Sequence, residues 1–244
     1  MTPGVFLEFS DTILLSIYNS PYFSNMLYIV STPIGNLKDI SYRAVEVLKQ
    51  VDLIAAEDTR HTKILTQHYQ IPTPLISYFE HNEIKRAEEF LKLLKEGKNI
   101  ALVTDAGTPG ISDPGYRIIK LALDHQIPVT SVPGPTALIT ALTLSGFPSD
   151  RFVFEGFLPV KSHARRKKLE ELKSESRTVI FYESPHRLLK TLKDMEEVLS
   201  DPEIVCAREL TKKFEEIKKE KCSRLIEHFT KIKPKGEFVL MFVK

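Results

Sequence analysis

Short apolar runs alternate with amphipathic stretches along this chain, and that alternation limits the fold more than any other feature. Leu27-Tyr28-Ile29-Val30, Leu53-Ile54-Ala55-Ala56, Ile100-Ala101-Leu102-Val103 and Val129-Thr130-Ser131-Val132 read as strands. Between them, Ser41 is placed to cap a helix through Gln50 that turns Ala44, Val45, Val47 and Leu48 inward. Residues 83–96 repeat Ile84, Ala87, Phe90, Leu91 and Leu94 at helical spacing, with Gly97 where a C-terminal cap belongs. Asp113-Pro114 predicts an N-cap followed by Pro at the first helical position, opening a helix to about Asp124. An apolar helix follows Pro133-Gly134-Pro135 and closes at Gly146. Strand and helix in alternation call for an α/β architecture with a largely parallel sheet.

The second half has a different texture. Phe152-Val153-Phe154, Thr178 to Tyr182, Ile204 to Ala207 and Phe238 to Val243 read as strands, with helices near 163–174, 186–199 and 222–230. The Pro/Gly cluster at Gly134 marks the expected boundary. It divides the chain into an extension (1–26), an N-terminal α/β domain (27–134) and a C-terminal α/β domain (135–244) with a mixed sheet. With 244 residues, 42% of them hydrophobic, there is apolar material for two such cores. The stretch Ile13 to Ile17 is too short to span a membrane, and Glu8 and Asp11 with no preceding basic residue make a poor signal peptide. Residues 1–25 therefore read as a dispensable extension before Met26. Cys206 and Cys222 have no zinc-like spacing and suggest no disulfide framework, which fits two reduced cysteines in a cytosolic protein.

Three Gly/Pro-rich turns follow directly on three first-half strands: Ser31 to Asn36, Asp105 to Gly115, and Pro133 to Thr136. Ligands of open α/β sheets bind outside the carboxyl ends of strands. Gly there lets backbone approach a ligand, and Pro stiffens the turn. The alternative is that these are turn residues and nothing more. No phosphate-binding P-loop, G-x-G-x-x-G, G-x-S-x-G or H-E-x-x-H pattern is present. The residues alone thus reach a small-molecule site on rigid turns and no further.

Two charged segments stand out. Glu57-Asp58-Thr59-Arg60-His61-Thr62 ends the second strand, as either a site or a solvated helix start capped by Asp58 or Thr59. Lys161 to Lys168 holds five basic residues in eight with no acid between them. Net charge is only +2, so any polyanion surface must come from such local segregation. This run is either a patch for RNA phosphates or a solvated face.

Taken in order, Thr32-Pro33-Ile34-Gly35-Asn36-Leu37, Ala55 to Arg60, Asp105 to Pro109, Ser112 to Gly115, Pro133 to Pro135, Phe181-Tyr182-Glu183-Ser184-Pro185-His186-Arg187, Ala207 to Lys212 and Gly236 to Val239 resemble one family. It is the ribosomal RNA small subunit methyltransferase I family of the tetrapyrrole methylase superfamily, and the resemblance covers about residues 27–244. Residues 1–25 have no clear counterpart in it, and Ala164 stands where the family pattern has Gly. The resemblance implies a two-lobed tetrapyrrole-methylase-like fold holding S-adenosyl-L-methionine in the inter-lobe cleft. It implies a cytoplasmic homodimer that methylates the 2′-hydroxyl of a cytidine in small-subunit (16S) ribosomal RNA, free or within the 30S subunit. It assigns the cofactor to Pro33, Ile34, Gly35, Asp105, Ala106, Gly107, Thr108, Pro109, Pro133, Gly134, Pro135, Tyr182 and Ala207. The alternative for Tyr182 is an ordinary strand aromatic.

Methyl transfer from a sulfonium is an in-line displacement that needs positioning and exclusion of water, and no metal or membrane partner is expected. A ribose hydroxyl is a poor nucleophile, so a general base would help. Glu57, Asp58, His61 and Glu183 are the candidates, with Asp105 and His186 behind them. Arg60, Lys161, Arg165, Arg166, Lys167 and Arg187 are the expected RNA contacts, and loss of Arg165 with Arg166 is expected to weaken RNA binding. The rivals are methylation of a tetrapyrrole (precorrin or porphyrinoid) and a non-catalytic RNA-binding module.

Overall fold

A computed structural model describes residues 25–244. Apart from Asn25, the expectation of a dispensable extension lies outside the described residues.

The first lobe is a five-stranded parallel sheet in the order β3-β2-β4-β1-β5. Its strands are β1 (Leu27–Val30), β2 (Leu53–Ala56), β3 (Leu75–Ser77), β4 (Ile100–Val103) and β5 (Val129–Val132). The two-residue period of a strand sends alternate side chains to opposite faces. Tyr28, Val30 and Ile54 pack with Ala44, Val47 and Leu48 of α1 (Tyr42–Gln50) and Leu65 of α2 (Thr59–His68). Leu27, Ile29 and Leu102 pack with Phe90 and Leu94 of α3 (Glu83–Lys95) and Ile118 and Ala122 of α4 (Tyr116–Asp124). Burial on both faces is why these strands read as continuous apolar runs. Ser41 caps α1, its hydroxyl accepting from Ala44 N at 3.1 Å.

The second lobe is a mixed sheet in the order β6-β7-β10-β8-β9. Only β6 (Phe152–Phe157) and β7 (Thr178–Glu183) run parallel; β10 (Phe238–Phe242), β8 (Glu203–Arg208) and β9 (Glu216–Lys221) pair antiparallel. One face packs on α6 (Ser162–Leu172), α7 (Leu188–Leu199) and α8 (Cys222–Lys231) through Leu169, Leu192, Phe229 and Phe181. The other face takes α5 (Ala137–Ser145), which ends at Gly146 in the left-handed region. Ile34, from the turn after β1, packs into that face with Leu138, Val205 and Val239. The first lobe is therefore pinned to the second by a residue of its own first turn.

The structure corrects one local expectation and adds two strands that the sequence patterns did not place. Helix α4 begins at Tyr116 behind Gly115 rather than being capped by Asp113. Strand β3 is only three half-buried residues. Strand β9 has the sequence Glu-Ile-Lys-Lys-Glu-Lys, whose charges suit an edge strand and hide it from hydrophobic patterning.

Candidate active site

The three Gly/Pro turns leave neighbouring strands at the same edge and are tied to one another. Thr32 and Gly107 exchange backbone hydrogen bonds of 2.8 and 3.0 Å. The Ser31 and Thr108 hydroxyls meet at 2.8 Å, and Thr108 Oγ1 lies 2.8 Å from Thr136 Oγ1 and 3.2 Å from Pro135 O. One threonine hydroxyl thus touches all three turns. Gly134 is small because a Cβ there would lie 2.9 Å from Ser31 Cβ. The ends of β2 and β4 are laced in the same way. Glu57 Oε2 accepts from Thr104 Oγ1 at 2.5 Å and from Asp105 N at 3.2 Å, and Asp58 N donates to Asp105 Oδ1 at 3.1 Å.

A cavity of about 310 Å³ opens between the lobes against these turns. Ile34, Asp105, Ala106, Gly107 and Thr108 line it from the first lobe, and Tyr182, Leu210 and Val239 from the second. Glu57, Asp113, Glu183 and Glu237 also border it, so with Asp105 five carboxyl groups surround a largely apolar space. Burial, and then the Glu57 charge, pushes the Asp113 carboxyl up to about 7. Burial foremost also raises Asp105, with Glu57 adding to it. Crowded carboxyls with raised affinity for protons equally favour a cationic ligand. Among the described residues no cluster of three or more His, Cys, Asp or Glu side chains is arranged for a metal ion.

Of the sequence-predicted cofactor residues, Ile34, Asp105, Ala106, Gly107, Thr108 and Tyr182 line this cavity. Tyr182 accepts from Leu138 N at 3.3 Å, and burial pushes its hydroxyl up to about 12. Pro33 and Gly35 border an adjoining cavity instead. Gly35 has a different reason to be small: a Cβ would lie 2.4 Å from Lys212 Cγ and 2.9 Å from Thr211 Oγ1, so the second lobe packs directly on it. Pro109 is buried, and Pro133, Gly134 and Pro135 support Thr108 from behind without lining the space. Ala207 does not line the cavity. It is fully buried in β8 between β10 and β9, its side chain in the core that holds Val239 and Ile34.

The base candidates separate sharply. Asp58 is the N-cap of α2, accepting from Arg60 N at 2.8 Å and pairing with the Arg60 guanidinium, which holds its carboxyl near 2. A carboxyl so paired is a weak base, and it does not line the cavity. Glu183 borders the cavity, yet its oxygens are committed to Ser184 N (2.7 Å), Thr191 Oγ1 (2.5 Å) and Arg187 Nε (3.3 Å) inside the core. Both carboxyls are thus taken up by partners within the protein. Glu57 and Asp105 border the cavity; His61 lies in the adjoining one, and His186 is exposed.

The basic run is split by the helix that carries it. Arg165 is 2% exposed and bonded to Asp194 at 2.7 Å and to Val160 O at 3.1 Å, so it is no phosphate contact. Arg187 is likewise occupied, by Glu183 and by Leu158 O at 2.5 Å. Arg166 pairs with Glu197, and Arg60 with Asp58 at 2.7 Å, both at the surface. Lys161 and Lys167 are exposed. Sequence reasoning missed Asp113 and Glu237 as cavity residues, although both stand in motifs it singled out. An acid within two residues of a turn glycine, Gly115 for Asp113 and Gly236 for Glu237, was the available signal.

The fold and this cleft define a two-lobed methylase class. The family model of tetrapyrrole (corrin/porphyrin) methylases matches residues 26–226. A Thermotoga maritima protein described as ribosomal RNA small subunit methyltransferase I is 51% identical over 88% of this chain and 96% of its own. A Synechocystis protein of the same description is 54% identical over 88% of this chain and 78% of its own. The chain belongs to the tetrapyrrole methylase family and, within it, to the ribosomal RNA small subunit methyltransferase I group. Among solved structures, a diphthine synthase superposes with a TM-score of 0.71 at 14% identity, covering 89% of both chains. A cobalt precorrin-4 methyltransferase gives 0.66 at 18% identity, covering 89% of this chain and 95% of its own. These distant neighbours agree in fold.

Proposed function

We propose that the protein transfers the methyl group of S-adenosylmethionine to the 2′-hydroxyl of a cytidine ribose in small-subunit (16S) ribosomal RNA. The observation that carries the reading is the cavity between the lobes, built on three mutually bonded turns and ringed by five carboxyl groups. Its apolar walls and acidic rim suit a cofactor that is cationic at the reacting centre and otherwise carries an adenine and a ribose diol. Bound there, the cofactor supplies an already activated methyl on a positively charged sulfur. The protein's part is positioning. Thr108 locks the turns so that the backbone of Ala106 and Gly107 borders the site without reorganising, and Phe157 and Tyr182 close it from the second lobe. Glu57 and Asp105, joined at the strand ends, are the acids best placed to take a hydroxyl proton.

We extend this reading to a homodimer acting in the cytoplasm on the RNA or the 30S subunit, with the lobes dividing near Gly134. The close relatives' name favours RNA over a tetrapyrrole acceptor. Mass spectrometry of 16S ribosomal RNA, with and without this protein, is expected to show one protein-dependent 2′-O-methylcytidine. An unmodified RNA after incubation with protein and cofactor overturns the reading.

Two further outcomes follow. The free Asp113 carboxyl, raised to about 7, is protonated below neutrality. A bound cation favours its ionised form, so cofactor binding releases a proton and tightens as pH rises from about 6 to 8. For folding the sign is opposite, since a carboxyl raised above its unfolded value withdraws stability as pH rises toward 7. Calorimetry across that range is expected to show tightening in the wild type and a flatter profile in Asp113→Asn. At the RNA surface, Lys161→Gln with Lys167→Gln is expected to reduce the salt slope of RNA binding by about 1.5, at roughly 0.7–0.9 per lost phosphate contact, with cofactor affinity intact. An unchanged slope removes those lysines from the interface.

A further inference from the structure

A second cavity, of about 480 Å³, adjoins the first and shares Ile34, Asp105, Ala106 and Glu237 with it as a common wall. Its far side is the start of α2, with His61, Thr62 and Ile64, faced by Lys212 of the second lobe. Two features of that side call for a ligand. Thr62 is 4% exposed, and its hydroxyl has no hydrogen-bond partner, although its backbone N–H donates normally to Asp58 O at 3.0 Å. Buried hydroxyls without partners are rare in folded proteins, and each asks for an explanation. Helix α2 also contains no acid from Thr59 to His68 while carrying Arg60, His61, Lys63 and His68. On its other flank lies an open groove bordered by Arg60, Lys63 and Gln67. An acid-free basic helix with a pocket on each side fits an extended polyanion whose units are larger than a simple ion.

We propose that this second cavity receives the acceptor nucleotide of a single-stranded RNA. Thr62 Oγ1 hydrogen-bonds that nucleotide, and Arg60 and Lys63 follow the neighbouring phosphates over α2. The inference rests on the methyltransferase reading above and deepens it. Donor and acceptor then occupy adjoining cavities and meet at the shared wall, where Asp105 stands. The exposed face of Ile64 (58% accessible) offers the base an apolar contact. Thr62 acts here by binding and positioning, since the group that takes the proton lies on the shared wall.

The discriminating variant is Thr62→Val, which keeps the shape and deletes only the hydroxyl. If that hydroxyl serves nothing, its removal leaves the melting temperature and the activity unchanged or improved. Methyl transfer to small ribosomal subunits lacking the modification is measured together with cofactor binding by calorimetry and thermal melting. Expected for Thr62→Val is at least a tenfold fall in kcat/KM for the RNA substrate, with the cofactor Kd unchanged and the melting temperature not lowered. Thr62→Ser, which restores the hydroxyl, recovers most of the loss. Wild-type kcat/KM in Thr62→Val overturns the proposal while leaving the methyltransferase reading standing. A wild-type protein that binds cofactor and methylates no RNA overturns both.

Discussion

Arg165→Ala is expected to lower the unfolding free energy by about 3–5 kcal/mol, the range for breaking a buried ion pair from one side. The guanidinium is almost wholly enclosed. It holds Asp194 through two nitrogens, at 2.7 and 2.5 Å, and donates to the Val160 and Pro159 carbonyls at 3.1 and 3.4 Å. Truncation strands a buried carboxylate with only Ser162 and the more distant Arg166, at 3.6 Å, beside it, and takes a donor from the Val160 and Pro159 carbonyls, the latter keeping Arg187. Arg166→Ala, one residue along, removes a surface pair and is expected to change stability by about 1 kcal/mol or less. Urea unfolding of the two variants separates the roles. A stable Arg165→Ala protein with weakened RNA binding restores the phosphate-contact reading. For the same reason the double removal of Arg165 and Arg166 tests folding before it tests RNA.

Gly35→Ala is expected to lower methyl transfer by roughly a hundredfold, the loss that a 1 Å misplacement of reacting groups can bring. The new methyl meets Lys212 Cγ at 2.4 Å, Thr211 Oγ1 at 2.9 Å and the Leu210 carbonyl at 3.1 Å. The long lysine stem can move. Thr211 cannot move easily, because it already sits at φ +64° with its hydroxyl buried and unpaired, a strained state for a β-branched residue. Displacing the segment shifts Leu210 off the cleft and breaks the Lys212 pairs with Glu209 (3.0 Å) and Glu237 (2.9 Å). Cofactor affinity and kcat should fall together. Unchanged kinetics in Gly35→Ala would mean the lobes do not depend on this contact.

Most of the element order was legible because doubly buried parallel strands and one-faced helices leave strong patterns. Strands β1, β2, β4 and β5 and the helices beginning at Tyr42, Glu83 and Ala137 fall where apolar spacing and caps place them. The turns were legible as well, since Gly and Pro cluster where backbone must bend tightly. The patterns failed where local signals had two meanings. Asp113-Pro114 has the form of a helix start, yet Asp113 borders the cleft and the helix begins at Tyr116. Strand β9 carries five charges in six residues and exists because β8 offers a free edge. Arg165 looked like one cation among five, although Arg165, Leu169 and Leu172 share one helical stripe at spacings of four and seven.

By itself the sequence determined the α/β class, the sites of the tight turns and the motifs that carry the family relationship. These are properties of short stretches, set by side-chain shape and backbone freedom. Only the tertiary structure decided which charges are free and which are consumed. It buried Arg165 against Asp194, left the Thr62 hydroxyl without a partner and drew Asp113 and Glu237 to the cleft. Charge and hydrogen bonding depend on partners far away along the chain, as with Arg43 and the Ser131 carbonyl, and no local pattern encodes who those partners are.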